Sequence, residues 1–102
     1  MSEQKYSALV TIRNPQGLHM RPAYLFAETA AKFQSKVELV RNDARIDGKS
    51  VLSILTLGAA QGTELLLETI GPDAEGALHA LVELVTAGFP GEEPATQAGS
   101  GG

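Results

Sequence analysis

Hydrophobic periodicity switches from two residues to about 3.6 across the turn Asn14-Pro15-Gln16-Gly17, and this switch constrains the fold more than any other feature of the chain. Before it, Ala8, Val10 and Ile12 alternate with Ser7, Leu9, Thr11 and Arg13, the pattern of a strand with one buried face. After it, Ala23, Phe26, Ala27, Ala30 and Phe33 share one face of a helix, and Pro22 suits a first helical turn, where a missing N–H is no loss. The spacing predicts a helix from about Met20 to Phe33.

The same alternation of periods continues along the chain. Val37 and Leu39, with Glu38 and Arg41, predict a second strand; Asn42-Asp43 is a tight turn and Arg45-Ile46-Asp47 a short third strand, together a hairpin. Gly48-Lys49-Ser50 precedes Val51, Ile54 and Leu55 at helical spacing, closed by Gly58 where a left-handed cap fits. Leu65, Leu67 and Thr69 face inward on a fourth strand that ends at Gly71-Pro72, which leaves Leu66 and Ile70 beside Glu64 and Glu68 on the other face. Asp73 then caps a third helix whose buried stripe is Ala74, Ala77, Leu78, Leu81 and Val85. The order β-α-β-β-α-β-α, with runs this short, implies an α+β fold. A four-stranded antiparallel sheet carries three helices on one face, an open-faced β-sandwich.

Composition shifts once, after Gly88. Residues 1–88 are expected to form one domain, and the stretch FPGEEPATQAGSGG of residues 89–102 a flexible acidic, Gly-rich tail outside the core. Removing the tail's two carboxylates from the formal charge of −4 leaves −2 for the domain, and no basic run tracks a phosphate backbone, so nucleic-acid binding is disfavoured. The chain has no cysteine, which excludes disulfides, thiolate metal sites and cysteine nucleophiles and favours a reducing compartment. The start MSEQKYSALV has no charged leader followed by an apolar stretch, and no segment approaches the roughly 18 apolar residues of a membrane span. A cytoplasmic protein without membrane insertion is expected.

Two histidines can carry chemistry. His79, flanked by alanines and four residues from both Glu75 and Glu83, reads as a solvated surface residue. His19 sits where a glycine-containing turn feeds a helix. The first turn of a helix leaves backbone N–H groups unpaired at the positive end of the peptide dipole, so the amides of Met20 and Arg21 can point at an anion. The Arg21 guanidinium can add charge-assisted hydrogen bonds to a phosphoryl group carried on the ring. Phosphoryl transfer through a nucleophilic histidine suits these parts. A lone helix-end histidine builds no metal site, and none is expected.

Gly17-Leu18-His19-Met20-Arg21-Pro22-Ala23 resembles the active-site signature of the HPr family, the histidine-containing phosphocarriers of the bacterial phosphoenolpyruvate-dependent sugar phosphotransferase system. The resemblance extends over Val10-Thr11-Ile12, Phe26, Phe33, Asp47-Gly48-Lys49-Ser50-Val51-Leu52, Gly62, Gly71 and Asp73, about residues 5–88, and leaves the tail unmatched. It implies an HPr-like open-faced sandwich that takes a phosphoryl group from enzyme I onto His19, at Nδ1 in this family, and passes it to a histidine or cysteine of a sugar-specific permease component. Arg21 would assist. Such a chain is a carrier between proteins rather than a turnover enzyme, a monomer that needs no cofactor. Met20 departs from the family's usual alanine, and Val-Leu-Ser-Ile-Leu stands where relatives often have Ile-Met-Gly-Val-Met.

Ser50 has the position of a helix cap. It also looks like the serine that a dedicated kinase phosphorylates in many relatives, with Lys49 before it; HPr serine kinase and a transcription regulator are then implied partners. A phosphate there would add close to two negative charges beside the His19 surface. Gly48-Lys49-Ser50 mimics the end of a P-loop, but Asp43 stands where that motif needs glycine, which rules out ATP binding. Met20, Lys49 and Leu52 are expected to form a partner-docking rim, Leu52 because Val51, Ile54 and Leu55 face the sheet. The alternative to a phosphocarrier is a small anion-binding or regulatory interaction domain.

Overall fold

Seven elements follow one another as the periodicity predicts: β1 (Lys5–Thr11), α1 (Met20–Ala30), β2 (Lys36–Arg41), β3 (Ala44–Asp47), α2 (Val51–Leu55), β4 (Glu64–Ile70) and α3 (Ala74–Thr86). They belong to a computed structural model that describes residues 4–90. The four strands form one antiparallel sheet in the order β1-β4-β2-β3. β4 therefore runs between β1 and β2, and its register aligns Val10 with Leu65, Ala8 and Leu39 with Leu67, and Val37 with Thr69.

That register puts the apolar members of each alternating pattern on one face, where Val10, Val37, Leu39, Leu65, Leu67 and Thr69 are buried. The helices cover this face. α3 lies over β1 and β4, and α1 packs against both α2 and α3. Alanines at 23, 27 and 30 let α1 approach its neighbours closely, and Phe26 fills the centre, fully buried among Leu18, Ile54 and Leu81 in one cluster. Burial of a side chain like Phe26 contributes roughly 1.5–3 kcal/mol. The opposite face of the sheet is open and carries Lys5, Ser7, Leu9, Glu38, Arg45 and Glu68, so the fold is an open-faced α+β sandwich.

Local chemistry explains the connections. Asn42, in the two-residue turn between β2 and β3, adopts φ 55°, a left-handed conformation that asparagine tolerates. Gly48 follows β3 because a Cβ there would stand 2.6 Å from Val37 Cγ1 and 3.1 Å from Phe26 Cε1. Close packing, rather than a nucleotide, accounts for that glycine.

Three expectations are corrected. The first helix ends at Ala30 instead of Phe33, because the amides of Lys32 and Phe33 turn to the carbonyls of Thr29 and Ala30, three residues back, which tightens and closes the helix. Asp73 stands at the cap position of α3 without capping it; its carboxylate instead accepts from the Gln34 and Ser35 amides and the Ser35 hydroxyl. Phe89, assigned to the tail, is fully buried, with its amide bonded to the Leu84 carbonyl, so the core extends past Gly88. Residues 91–102, the rest of the expected tail, lie outside the described residues. Among the described residues no helix is long and apolar enough to cross a membrane.

Candidate functional site

The turn before α1 is built from its own backbone. The Gly17 amide donates to the Asn14 carbonyl at 2.9 Å, with Pro15 at the second position of the turn, and Asn14 Nδ2 donates back to the Gly17 carbonyl at 2.7 Å. Gly17 itself has φ +73°, and a Cβ there would stand 2.4 Å from the Ala59 carbonyl oxygen. No other residue fits without displacing backbone. Asn14 is buried, and its Oδ1 has no hydrogen-bond partner among the described residues. From the sequence alone, Asn14 reads only as a turn signal. Its inward side chain beneath the His19 turn was missed, although asparagine before proline is a residue whose side chain often bonds local backbone.

Leu18 anchors the entry to α1, its side chain buried and its amide 2.8 Å from the Ala59 carbonyl. His19 then takes the N-cap position with extended backbone, φ −82° and ψ −169°, and its carbonyl accepts from the Ala23 amide at 3.0 Å. The imidazole is half-buried. The amides of Met20 and Arg21 belong to the first turn, which has no carbonyl one turn earlier in the helix to bond to, and Pro22 has no N–H. No acidic residue lies in that first turn, so the positive end of this eleven-residue helix is not offset locally. Arg21 is exposed. An imidazole, a guanidinium two residues on and the helix amides between them thus share one helix end.

The other predicted residues fall as follows. His79 is exposed on α3, 3.1 Å from the Glu83 carboxylate one turn on. Ser50 is the N-cap of α2, and its hydroxyl oxygen accepts from the Ser53 amide at 3.2 Å. Met20 and Leu52 are both strongly exposed, at 59% and 74%, on helices that pack together. Lys49 does not join them at the start of α1. Its ammonium donates to the Phe33 carbonyl at 2.8 Å, beyond the opposite end of a helix about 16 Å long.

The family model described as the PTS HPr component phosphorylation site matches residues 6–87. A phosphocarrier protein HPr of Neisseria meningitidis is 42% identical over 83 residues, which cover 81% of this chain and 92% of that protein. The crystal structure of HPr-C-His from Thermoanaerobacter tengcongensis, at 40% identity, covers 86% of this chain and 98% of its own with a TM-score of 0.81. HPr from Bacillus anthracis, at 31% identity, covers 79% of this chain and 96% of its own with a TM-score of 0.76. The chain belongs to the HPr family of phosphotransferase-system phosphocarriers.

Proposed function

We propose that the chain accepts a phosphoryl group from phosphoenolpyruvate-charged enzyme I on His19 and passes it to a histidine or cysteine of a sugar-specific acceptor protein, in the cytoplasm and as a monomer. The observation that carries this reading is the position of His19 at the N-cap of α1, with Arg21 in a first turn that holds no acid. A ring nitrogen of His19 attacks the phosphorus, and the bond between phosphorus and enzyme I breaks as the new P–N bond forms. The developing charge on the phosphoryl oxygens meets the helix amides and the Arg21 guanidinium, which stabilise it without reorganising. Met20 and Arg21 supply those amides, and Met20 with Leu52 offers an apolar rim for partner helices. The reaction moves one group between proteins and leaves no small-molecule product on this chain.

Regulation at Ser50 belongs to the same reading. A phosphate on the cap of α2 adds negative charge to a helix packed against α1 and opposes the approach of a phosphorylated partner. An HPr serine kinase would install it, and a transcription regulator could read it.

The test is incubation with phosphoenolpyruvate and enzyme I. One acid-labile phosphoryl group is expected on the wild type and on His79→Ala, and none on His19→Ala. Labelling that persists in His19→Ala would overturn the assignment, and reversible phosphate binding without a covalent product would favour a plain anion-binding domain.

A further inference from the structure

We infer that Arg41 is a positioning residue for His19, acting through the loop that joins α2 to β4. This inference rests on the reading of His19 as the phosphoryl acceptor. Arg41 is the last residue of β2, and the period of two places it on the same face as Val37 and Leu39, the face the helices cover. A guanidinium at the rim of that apolar layer requires acceptors. It finds two carbonyls just past the end of α2: Nη1 lies 2.5 Å from the Leu57 oxygen and 3.1 Å from the Gly58 oxygen. Those carbonyls stand at the negative end of a short helix, where a cation is favoured.

The next residue in that loop reaches the His19 turn. The Ala59 carbonyl accepts the Leu18 amide at 2.8 Å, and Gly17 lies so close that a Cβ would strike the same oxygen. Two further bonds join the same loops: Gln61 Nε2 to the Arg13 carbonyl at 3.0 Å, and the Gly62 amide to the Ile12 carbonyl at 2.8 Å. Leu57, Ala59 and Leu18 are all buried, so the contact is a packed one rather than a loose surface bond. Arg41 grips residues 57 and 58, residue 59 grips residue 18, and residue 18 leads directly into the N-cap. The direction in which His19 leaves the turn therefore depends on the hold of the Arg41 side chain on the neighbouring loop.

The test replaces Arg41 by methionine, which keeps the apolar stem and removes the donors, and by lysine, which restores a cation. Arg41→Met is expected to keep the sheet's amide spectrum, shift the Leu18 amide and His19 ring resonances, and lower kcat for phosphorylation by enzyme I roughly tenfold. KM for the carrier is expected to stay within about twofold, because the exposed Met20 and Leu52 are untouched. Arg41→Lys is expected to recover most of the loss. A folded Arg41→Met with wild-type Leu18 resonance and wild-type kcat overturns the inference. If Arg41→Met does not fold, Arg41→Lys carries the test: a displaced Leu18 amide with unchanged kcat counts against it. If the wild type takes no phosphoryl group at all, the functional reading fails, and the Leu18 and His19 resonances of the variants still decide whether Arg41 positions the turn.

Discussion

Glu38 on β2 and Glu68 on β4 stand directly opposite each other on the open face of the sheet. Like charges in that relation repel across the strands. Arg45 on β3 resolves the conflict: its Nη1 lies 2.8 Å from Glu38 Oε1 and 2.5 Å from Glu68 Oε1. Lys36 approaches Glu38 at 3.4 Å and Lys5 approaches Glu68 at 3.5 Å, so charged groups from all four strands join one network. The Arg45 hydrogen bond is the main cause that holds both carboxyls below the ordinary carboxylate value, with the lysines adding to it. The four-residue strand β3 that leads towards Ser50 is tied to the rest of the sheet partly through this one side chain.

The pH dependence of stability follows from those directions. A carboxyl whose folded pKa lies below its unfolded value stabilises the fold fully above the ordinary range and loses that contribution as pH falls through the folded value. Urea unfolding of the wild type is therefore expected to hold steady above about pH 5 and to weaken progressively below it. In Arg45→Met the two facing carboxylates lack their bridge, protonation relieves their repulsion, and stability is expected to rise as the pH falls from 7 towards 4. Glu38→Gln in the same background should restore much of the pH 7 loss. Parallel acid profiles for wild type and Arg45→Met would show that the bridge contributes nothing.

Asp73 ties two distant turns. Its carboxylate takes the Gln34 and Ser35 amides, each at 2.9 Å, while the Ser35 hydroxyl both donates to that carboxylate and accepts from the Asp73 amide at 3.1 Å. These bonds, the Ser35 hydroxyl first, hold the Asp73 carboxyl below its ordinary value. Because each partner serves the other, Asp73→Asn and Ser35→Ala are expected to lower Tm individually and to be strongly non-additive when combined. Additive losses in a double-mutant cycle would mean that the two residues act separately.

Gly17→Ala tests how tightly the His19 turn is held against the neighbouring loop. The positive φ and the 2.4 Å approach to the Ala59 oxygen both oppose a methyl group, and the atom in the way is backbone. A loss of at least ~1 kcal/mol is expected in chemical denaturation, together with slower phosphoryl acceptance. Wild-type stability for this variant would mean that the turn shifts at little cost.

The order of elements was legible in the sequence because each segment carries its own period and the turns between them hold Gly, Pro or Asn-Asp. The places of His19, Arg21 and Ser50 at helix starts were legible for the same reason: a cap and a first helical turn are local. What escaped depends on strand order. The hairpin register pairs Val40 with Arg45, which already places Arg45 diagonal to Glu38, yet Glu68 reaches that pair only because β4 lies beside β2. Arg41 reads as an ordinary strand cation and Lys49 as part of the docking rim, and the partners of both are carbonyls 16 or 17 residues away in sequence. Asp73 looked like a cap because aspartate before a helix usually is one, and two amides and a hydroxyl some 38 residues upstream claimed it instead.

Ser50 combines a structural role with a proposed regulatory one, and two substitutions separate them. Its hydroxyl oxygen caps a helix only five residues long, which adds to the hold that buried Ile54 gives α2. Ser50→Ala removes the acceptor for the Ser53 amide and is expected to cost about 1 kcal/mol, measured by denaturation. Transfer through His19 should stay near the wild-type rate, because no charge has changed. Ser50→Asp keeps an oxygen acceptor at the cap, so stability is expected to remain close to wild type, but it adds a negative charge to the helix that packs on α1. Transfer from enzyme I is then expected to slow, and to recover in part at high salt, where a surface charge is screened. If Ser50→Ala slows transfer as much as Ser50→Asp does, the effect comes from the lost cap, and charge at Ser50 has no separate influence on His19.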